Sequence, residues 1–240
     1  MVPARRGTRR GLSGARVRGY ANGVPALARS AADFLPARRT LPSLRKAAAG
    51  CRGCDLYKDA TQTVFGEGRV HAAALFVGEQ PGDREDREGH PFVGPAGALL
   101  HNAMDAAGIA TDDVYITNAV KHFKFVWRGK RRIHASPKRL EVRACEPWLI
   151  EEIAAVKPHL VVALGATAAQ ALLGPSFRLT QHRGEVLASA HAERVVATVH
   201  PSSILRAVDD DARRVEMAAF VDDLRLVAKL ISTRPSPAPR

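Results

Sequence analysis

The sequence predicts an α/β protein, a three-layer αβα sandwich with a short central parallel sheet. Short apolar runs typical of strands alternate along the chain with longer segments of helical period. This alternation favours a parallel sheet covered by helices on both faces. The runs are continuously apolar, LVVAL at 160–164 above all, as expected of strands buried on both sides. The length of 240 residues allows one substantial domain with a core.

The predicted elements follow in order from a short helix at 41–49, which leads into Cys51. Strands are predicted at 73–77, 114–118, 160–164, 185–188 and 195–199. Helices are predicted at 96–107, 139–156, 167–173 and 211–231. We therefore expect one domain at 41–231, preceded by a basic disordered extension at 1–40 and followed by a disordered tail at 232–240, whose STRPSPAPR composition cannot build a core.

The net charge of +12 is placed unevenly along the chain. Residues 1–40 carry nine Arg and one Asp, while residues 121–139 hold eight Lys or Arg, two His, two Phe and one Trp without an acidic residue. Basic side chains neutralise phosphates, and interleaved aromatic rings stack on bases or wedge between them. The segment 121–139 is predicted to be a long loop that meets a polyanion, although a solvated basic loop has the same composition.

Cysteine usage and hydropathy bear on the cellular location. Cys51, Cys54 and Cys145 do not suit a disulfide framework, and the amino terminus lacks the apolar stretch of a secretory signal. No apolar run approaches the length that spans a bilayer. We expect a cytoplasmic protein with no membrane partner. The Arg-rich start also imitates an organelle transit peptide, but it lacks an amphipathic period, which favours the disordered extension.

Polar side chains follow the carboxyl ends of three predicted strands. Glu79 and Gln80 come after the first strand, Asn118 ends the second, and His200 follows the last. Ligand sites of open parallel sheets lie beyond these ends. The three strand ends are therefore predicted to converge on one cleft.

Three motifs surround these positions. GEQPGD at 78–83 forms a tight turn that lacks the glycine spacing and the Lys-Ser/Thr ending of a phosphate-binding loop. PFVGPAG at 91–97 places Phe92 in a Gly- and Pro-rich loop, where an aromatic ring either covers a ligand or fills the edge of a core. HPSS at 200–203 places His200 before a proline that can open a helix. A structural His that caps the sheet is the alternative.

The thiols suggest a metal site. CRGC at 51–54 and Cys145 supply three ligands, and the CxxC does not sit between a strand and a helix in the thioredoxin manner. A tetrahedral metal or a cubane cluster needs a fourth ligand. His122, directly after the TNAVK strand end, is the candidate. Zinc and an iron–sulfur cluster both accept this donor set, and the spacing does not separate them.

Together the motifs resemble those of the uracil-DNA glycosylase superfamily, in particular the family-four iron–sulfur enzymes and their UdgX branch. The resemblance covers about residues 51–230, through GEQPGD, PFVGPAG, TNAVKHFKF at 117–125 and HPSSILR at 200–206. Ordinary family-four members have GEAPG and a Cys where this chain has Gln80 and His122. These two residues and KRRIH at 130–134 are similar to the UdgX branch.

The resemblance implies the uracil-DNA glycosylase fold, a monomer, and a substrate of uracil-containing DNA, either single-stranded or duplex with a flipped base. It also implies a [4Fe-4S] cluster with the ligands Cys51, Cys54, His122 and Cys145. Phe92 would stack on uracil, Asn118 would hydrogen-bond its pairing edge, and His200 would stabilise the negative charge on the leaving base. His134 would attack the sugar and remain covalently attached to the DNA.

Elementary chemistry agrees with these implied roles. Breaking an N-glycosidic bond leaves an oxocarbenium-like sugar and an anionic base, which need a nucleophile and hydrogen-bond donors respectively. A neutral imidazole held at the anomeric carbon would react before water through proximity and nucleophilicity. Glu79 is predicted to orient His134 or to accept its proton.

Other polar residues near the motifs are expected to assist. Gln80 and Asp83 are predicted substrate contacts, and Arg132 is predicted either to position the basic segment or to hold a phosphate. Asp83 and Asp86 would tether that segment or remain exposed. Two alternatives to a self-trapping glycosylase stay open: a hydrolytic family-four enzyme that leaves a free abasic site, and an iron–sulfur module that senses deoxyuridine without cutting.

Overall fold

A six-stranded sheet forms the centre of the structure, a computed structural model that describes residues 29–233. The strands are β1 (Glu67–Gly68), β2 (Ala74–Gly78), β3 (Val114–Asn118), β4 (Phe125–Arg128), β5 (Arg131–His134), β6 (Leu160–Leu164), β7 (Val186–Leu187) and β8 (Val195–Thr198). The α-helices are α1 (Leu41–Ala48), α2 (Asp83–Glu88), α3 (Pro95–Ala107), α4 (Arg139–Val156), α5 (Ala166–Leu173), α6 (Leu179–His182), α7 (Pro201–Leu205) and α8 (Asp210–Ser232). Short 3-10 helices lie at Ala31–Phe34, Asp55–Lys58 and Thr111–Asp113.

The strand order in the sheet is β1-β3-β2-β6-β8-β7. The inner four strands are parallel, as predicted, and the two-residue strands β1 and β7 are antiparallel at the edges. Short edge strands expose few unpaired backbone groups, which protects the sheet from pairing with another chain. The sequence did not indicate this antiparallel pairing at either edge.

Alternate side chains of the inner strands divide the core into two layers. Phe76 and Val162 pack in a cluster with residues of α3 and α8, whereas Leu75 and Val161 pack in a second cluster with residues of α4 and α5. Helices therefore cover both faces, and the predicted three-layer sandwich is confirmed. In the described part of the chain, no helix is long and apolar enough to cross a membrane.

The ordered domain starts before the predicted boundary at residue 41. Ser30 caps the 3-10 helix Ala31–Phe34, and Ala31 is buried in a third cluster with Leu44 and Trp148. The predicted extension at 1–40 is therefore too long at its carboxyl end. Its residues 1–28, like residues 234–240 of the predicted tail, lie outside the described residues.

The middle of the basic segment is a hairpin rather than the predicted loop. Strands β4 and β5 pair so that Phe125 lies opposite His134 and Trp127 lies opposite Arg132. The two-residue turn between them begins at Gly129 with φ of +60°, the positive φ that such hairpin turns require at this position. β4 begins with the aromatic and β-branched residues Phe125, Val126 and Trp127, which suit a strand, and the many charges of the segment concealed that signal.

Candidate active site

A cavity of about 750 Å³ lies at the carboxyl ends of β2, β3, β6 and β8. The side chains around it include Glu79, Gln80, Phe92, Asn118, His134 and His200. The three predicted strand ends therefore converge on one cleft. The carboxyl end of β5 adds His134 to its wall.

Asn118 and Phe92 form a buried recognition surface. The Oδ1 atom of Asn118 is buried and has no hydrogen-bond partner among residues 29–233. Phe92 has a positive φ of +56° and its ring lies 6.0 Å from that of His200. A Cβ atom on Gly78 would lie 2.3 Å from Asn118 Oδ1 and 2.7 Å from Phe92 Cζ, so glycine permits this packing. An unpaired buried acceptor is costly and indicates a ligand that donates to it.

His200 presents a hydrogen-bond donor to the same cavity. Its Nδ1 atom accepts the backbone N–H of Ser202 at 3.1 Å, at the start of α7. Burial lowers the pKa of His200 to about 4, so the ring is neutral at pH 7. Because Nδ1 is the acceptor, the single proton of the neutral ring lies on Nε2.

The side chains of His134 and Glu79 lie next to each other in the cavity wall. Its Nε2 atom is 3.4 Å from Glu79 Oε1, while Glu79 Oε2 accepts the hydroxyl of Thr167 at 2.5 Å. Burial lowers the pKa of His134, Glu79 opposes this shift, and Arg206 adds to it. The imidazole is therefore neutral at pH 7 and able to act as a nucleophile. Thr167 was missed, because its contact with Glu79 has no local sequence signal.

The side-chain amide of Gln80 forms its hydrogen bonds with the backbone of the hairpin rather than with a ligand. Its Nε2 atom donates to the carbonyl oxygens of Lys124 and Ala135, both at 3.1 Å, and its Oε1 accepts the N–H of Lys124 at 3.1 Å. Lys124 and Ala135 flank the two strands of the hairpin. The side chain predicted as a substrate contact thus clamps the hairpin at its base.

Arg132 and its acidic partners tether the hairpin to α2. The Arg132 side chain is only 8% exposed, and it contacts Asp83 Oδ1 at 2.5 Å and Asp86 Oδ2 at 2.6 Å. Its guanidinium also lies over the rings of Phe123 and Phe125. Of the two roles predicted for Arg132, the structure supports positioning and leaves no group for a phosphate. The predicted substrate contact by Asp83 is likewise replaced by this pairing.

A buried ion pair lies behind the recognition surface. Lys121 pairs with Glu152 of α4, and its Nζ donates to Thr117 Oγ1 and to the carbonyl oxygen of Asn118, both at 2.7 Å. Both charged side chains are almost fully buried. The expectation that Lys121 faces a polyanion is therefore wrong. Its partner lies 31 residues away in sequence, beyond any local pattern.

The three thiols lie in one region, next to the loop that follows β3. Cys51 and Cys145 belong to the same buried cluster, and the N–H of Lys121 donates to Cys145 Sγ at 3.2 Å. Burial raises the pKa of Cys145 to about 12, the charge and the N–H of Lys121 oppose this shift, and Cys54 and Cys51 add smaller contributions that raise it. Across residues 29–233, no group of three or more His, Cys, Asp or Glu side chains has the arrangement of a metal site.

The hydrogen bonds of His122 leave one ring nitrogen with a free lone pair. The Thr63 hydroxyl donates to the carbonyl oxygen of Ala48 at 2.9 Å and lies 3.0 Å from His122 Nε2. Because the hydroxyl proton of Thr63 points to Ala48, the hydrogen bond to His122 must use a proton on Nε2 of His122. The lone pair of the ring is therefore on Nδ1. Burial lowers the pKa of His122 to about 4. Three thiols and one neutral imidazole are chemically suited to zinc or to an iron–sulfur cluster.

Comparisons with known proteins agree with this geometry. Residues 65–225 match the family described as the uracil DNA glycosylase superfamily. A type-4 uracil-DNA glycosylase of Thermotoga maritima is 37% identical over 166 residues, which are 69% of this chain and 83% of that protein. A type-4 enzyme of Pyrobaculum aerophilum is 36% identical over 173 residues, or 69% of this chain and 85% of that protein. The chain belongs to the uracil-DNA glycosylase superfamily.

Proposed function

We propose that this protein excises uracil from DNA and becomes covalently linked to the abasic sugar through His134. The observation that carries the proposal is a neutral imidazole 3.4 Å from Glu79, in the same cavity as the unpaired Oδ1 of Asn118. A nucleophile and a base-recognition group thus share one site. Its type-4 relatives are named as uracil-DNA glycosylases.

Recognition of the flipped base rests on Asn118 and Phe92. The N3–H of uracil donates to Asn118 Oδ1, and the Asn118 amide donates to the O4 oxygen of the base. Cytosine presents an acceptor at N3 and so leaves the buried Oδ1 unpaired, which disfavours its binding. The ring of Phe92 covers a face of the base, which must first leave the duplex stack.

Departure of uracil is assisted by His200. As the bond between C1′ of the sugar and N1 of uracil breaks, the electron pair moves onto N1 and spreads to the O2 oxygen. The Nε2–H of His200 donates to this developing anion. A preorganised donor in a buried site stabilises such charge without reorganisation.

Capture of the sugar follows through His134. The neutral ring of His134 already has a lone pair on one nitrogen, and this lone pair forms the bond to C1′ as the bond to uracil breaks. The ring becomes an imidazolium, whose positive charge is stabilised by the carboxylate of Glu79, and its remaining N–H proton then passes to the uracil anion or to water. Thr167 holds the other carboxylate oxygen of Glu79 and so fixes its orientation.

We further propose that a [4Fe-4S] cluster is held by Cys51, Cys54, His122 and Cys145. The cluster would cross-link three segments that are distant in sequence and would supply stability rather than chemistry at the base. The support is the donor set, the amide hydrogen bond to Cys145 and the Nε2–H tautomer of His122. Iron analysis and visible absorption of the purified protein test this assignment. Zinc in a colourless, fully active protein would contradict it.

The covalent step is tested with single-stranded uracil-containing DNA on a denaturing gel. Wild-type protein should give a detergent-resistant adduct in one-to-one stoichiometry, and thymine-containing DNA should give none. His134→Ala should lose the adduct and still release uracil, because the donors at the base remain and water can reach C1′. Glu79→Gln should form the adduct more slowly.

A matched control is available in His182→Ala. His182 also lies beside a carboxylate, Glu185, at 2.9 Å, but this exposed pair is outside the cavity. This variant should form the adduct at the wild-type rate. An adduct that forms equally well in His134→Ala would refute the proposed nucleophile.

A further inference from the structure

The three aromatic residues of the basic segment differ in what their rings contact. Phe123 is buried, and the ring of Phe125 stacks on it at 5.2 Å and lies under the guanidinium of Arg132 at 5.0 Å. Trp127 is two residues further out on the same strand and is 66% exposed. Of these three residues, only Trp127 presents most of its ring to solvent.

Trp127 is also held in a restricted orientation. Its ring meets that of Phe125 at 5.5 Å and at an angle of 89°, the edge-to-face arrangement that aromatic pairs favour. Phe125 is itself fixed by Phe123 and Arg132. The ring of Phe125 therefore supports the indole of Trp127 through this contact, while most of the indole surface remains exposed to solvent.

The charged side chains around Trp127 indicate which kind of partner it can bind. Arg128, Lys130 and Arg131 are exposed at the tip of the hairpin and form no ion pair with any residue of the described range. Arg132, by contrast, is neutralised by two carboxylates. An open aromatic ring beside three unpaired cations fits a polyanion with exposed ring faces, which is single-stranded nucleic acid.

The register of the hairpin sets the distance from this ring to the proposed nucleophile. Phe125 lies opposite His134, and Trp127 lies opposite Arg132. Two residues along a strand span roughly 7 Å, which is about the rise of one or two nucleotides along a DNA strand. Residues two apart also share one face of the strand. Trp127 therefore lies within reach of the nucleotide next to the one bound in the cavity.

We propose that Trp127 stacks on an unpaired base adjacent to the excised nucleotide, so that the hairpin tip favours single-stranded over duplex DNA. In an intact duplex, both faces of that base are covered by its neighbours. After the target nucleotide flips out, pairing with the opposite strand still holds the adjacent base in the helix. The location of the target nucleotide rests on the proposed function. The stacking itself requires no uracil.

Tryptophan fluorescence tests the proposal directly, because the chain has two Trp residues and the other, Trp148, is fully buried. The full-length protein is titrated with single-stranded oligothymidylate, which contains no uracil. The emission should be quenched on binding in the wild type and unchanged in Trp127→Ala. Trp127→Ala should also weaken binding to the single strand about 5- to 100-fold, and binding to a matched duplex less than twofold.

Val126→Ala is the matched control, since Val126 is the adjacent exposed apolar residue and points to the other face of the strand. It should leave quenching and both affinities unchanged. Binding of oligothymidylate without quenching of wild-type emission would overturn the proposal, as would equal losses of single-strand and duplex affinity in Trp127→Ala. Adduct formation on uracil-containing DNA, measured in parallel, tests the proposed function separately.

Discussion

The recognition surface and the hairpin both line one cavity, but they are held by different forces. Phe92 belongs to the apolar core, and Lys121, which pairs with Glu152, donates a hydrogen bond to the carbonyl oxygen of Asn118. The hairpin has its own two strands and is held to the domain through Gln80 and through the carboxylates that bind Arg132.

This difference separates the base recognition proposed for Asn118 and Phe92 from the sugar capture proposed for His134. The two residues proposed to select the base lie on a surface whose geometry is set by close packing, which tolerates little displacement. The imidazole of His134 lies on an element whose position depends on a few polar contacts. Changes to those contacts should therefore alter capture of the sugar without altering recognition of the base. Experiments can test this separation, from the largest expected effect to the smallest.

The largest effect is expected when the support behind the recognition surface is removed. Glu152→Ala leaves the ammonium of Lys121 buried without its partner, which should lower the free energy of unfolding by about 3–5 kcal/mol. Uracil release should fall as well, because Lys121 also holds the backbone of Asn118. Denaturant unfolding and a uracil-release assay measure the two effects.

Glu151→Ala provides the control from the adjacent position of the same helix. Glu151 pairs at 3.5 Å with Arg39, and both side chains are partly exposed to solvent. Loss of such a pair should cost about 1 kcal/mol or less. Equal destabilisation by the two variants would show that the buried pair has no special role.

The second largest effect is expected at the hairpin tether. Asp86 is fully buried and accepts a hydrogen bond from Arg132 at 2.6 Å. Asp86→Asn should weaken this contact and displace His134, and a displacement of about 1 Å costs on the order of 100-fold in rate. Adduct formation should fall by about that factor while uracil release falls much less. Quenched-flow sampling followed by denaturing gels measures the rate of adduct formation.

Arg84→Ala is the corresponding control on the solvent side of α2. Arg84 pairs with Glu88 at 2.7 Å and is mostly exposed, so its removal should not move the hairpin. If Asp86→Asn reduced uracil release and adduct formation equally, the two regions would not be separable.

The pH dependence should also differ between the two regions. The pKa of His134 lies below its ordinary value of 6.5, and a protonated imidazole has no lone pair for attack. Wild-type adduct formation should therefore be flat above pH 6.5 and fall by about tenfold per pH unit below the lowered pKa. Uracil release by His134→Ala relies, in our proposal, on the donor of His200, whose pKa is about 4 in the wild type, and should persist to lower pH. Parallel profiles for the two reactions would contradict this assignment.

The smallest effect is expected at Thr167. Thr167→Val removes the hydroxyl that donates to Glu79 at 2.5 Å and preserves the shape of the side chain. Glu79 then orients His134 less well, and adduct formation should slow by roughly fivefold, as expected for loss of one hydrogen bond. Thr167→Ser should retain the wild-type rate. A slow Thr167→Ser variant would indicate a packing role for the methyl group instead.

Much of the fold and the location of the site could be predicted from the sequence. The buried runs around Phe76 and Val162 and the helical periods between them indicate a parallel sheet with helices on both faces. Parallel strands end at a common edge, so Glu79, Asn118 and His200 could be placed in one cleft from their positions after strands. These inferences depend on short-range periodicity, which is visible in a single sequence.

Only the tertiary structure decided what each charged residue of the basic segment does. Lys121 and Arg132 contribute to the same run of positive charge as Arg128 and Lys130, yet the first two are buried against carboxylates and the last two are exposed. Composition shows how many charges a segment carries. It does not show which of them meet a distant carboxylate, because burial of a charge depends on partners that folding brings together from elsewhere in the chain.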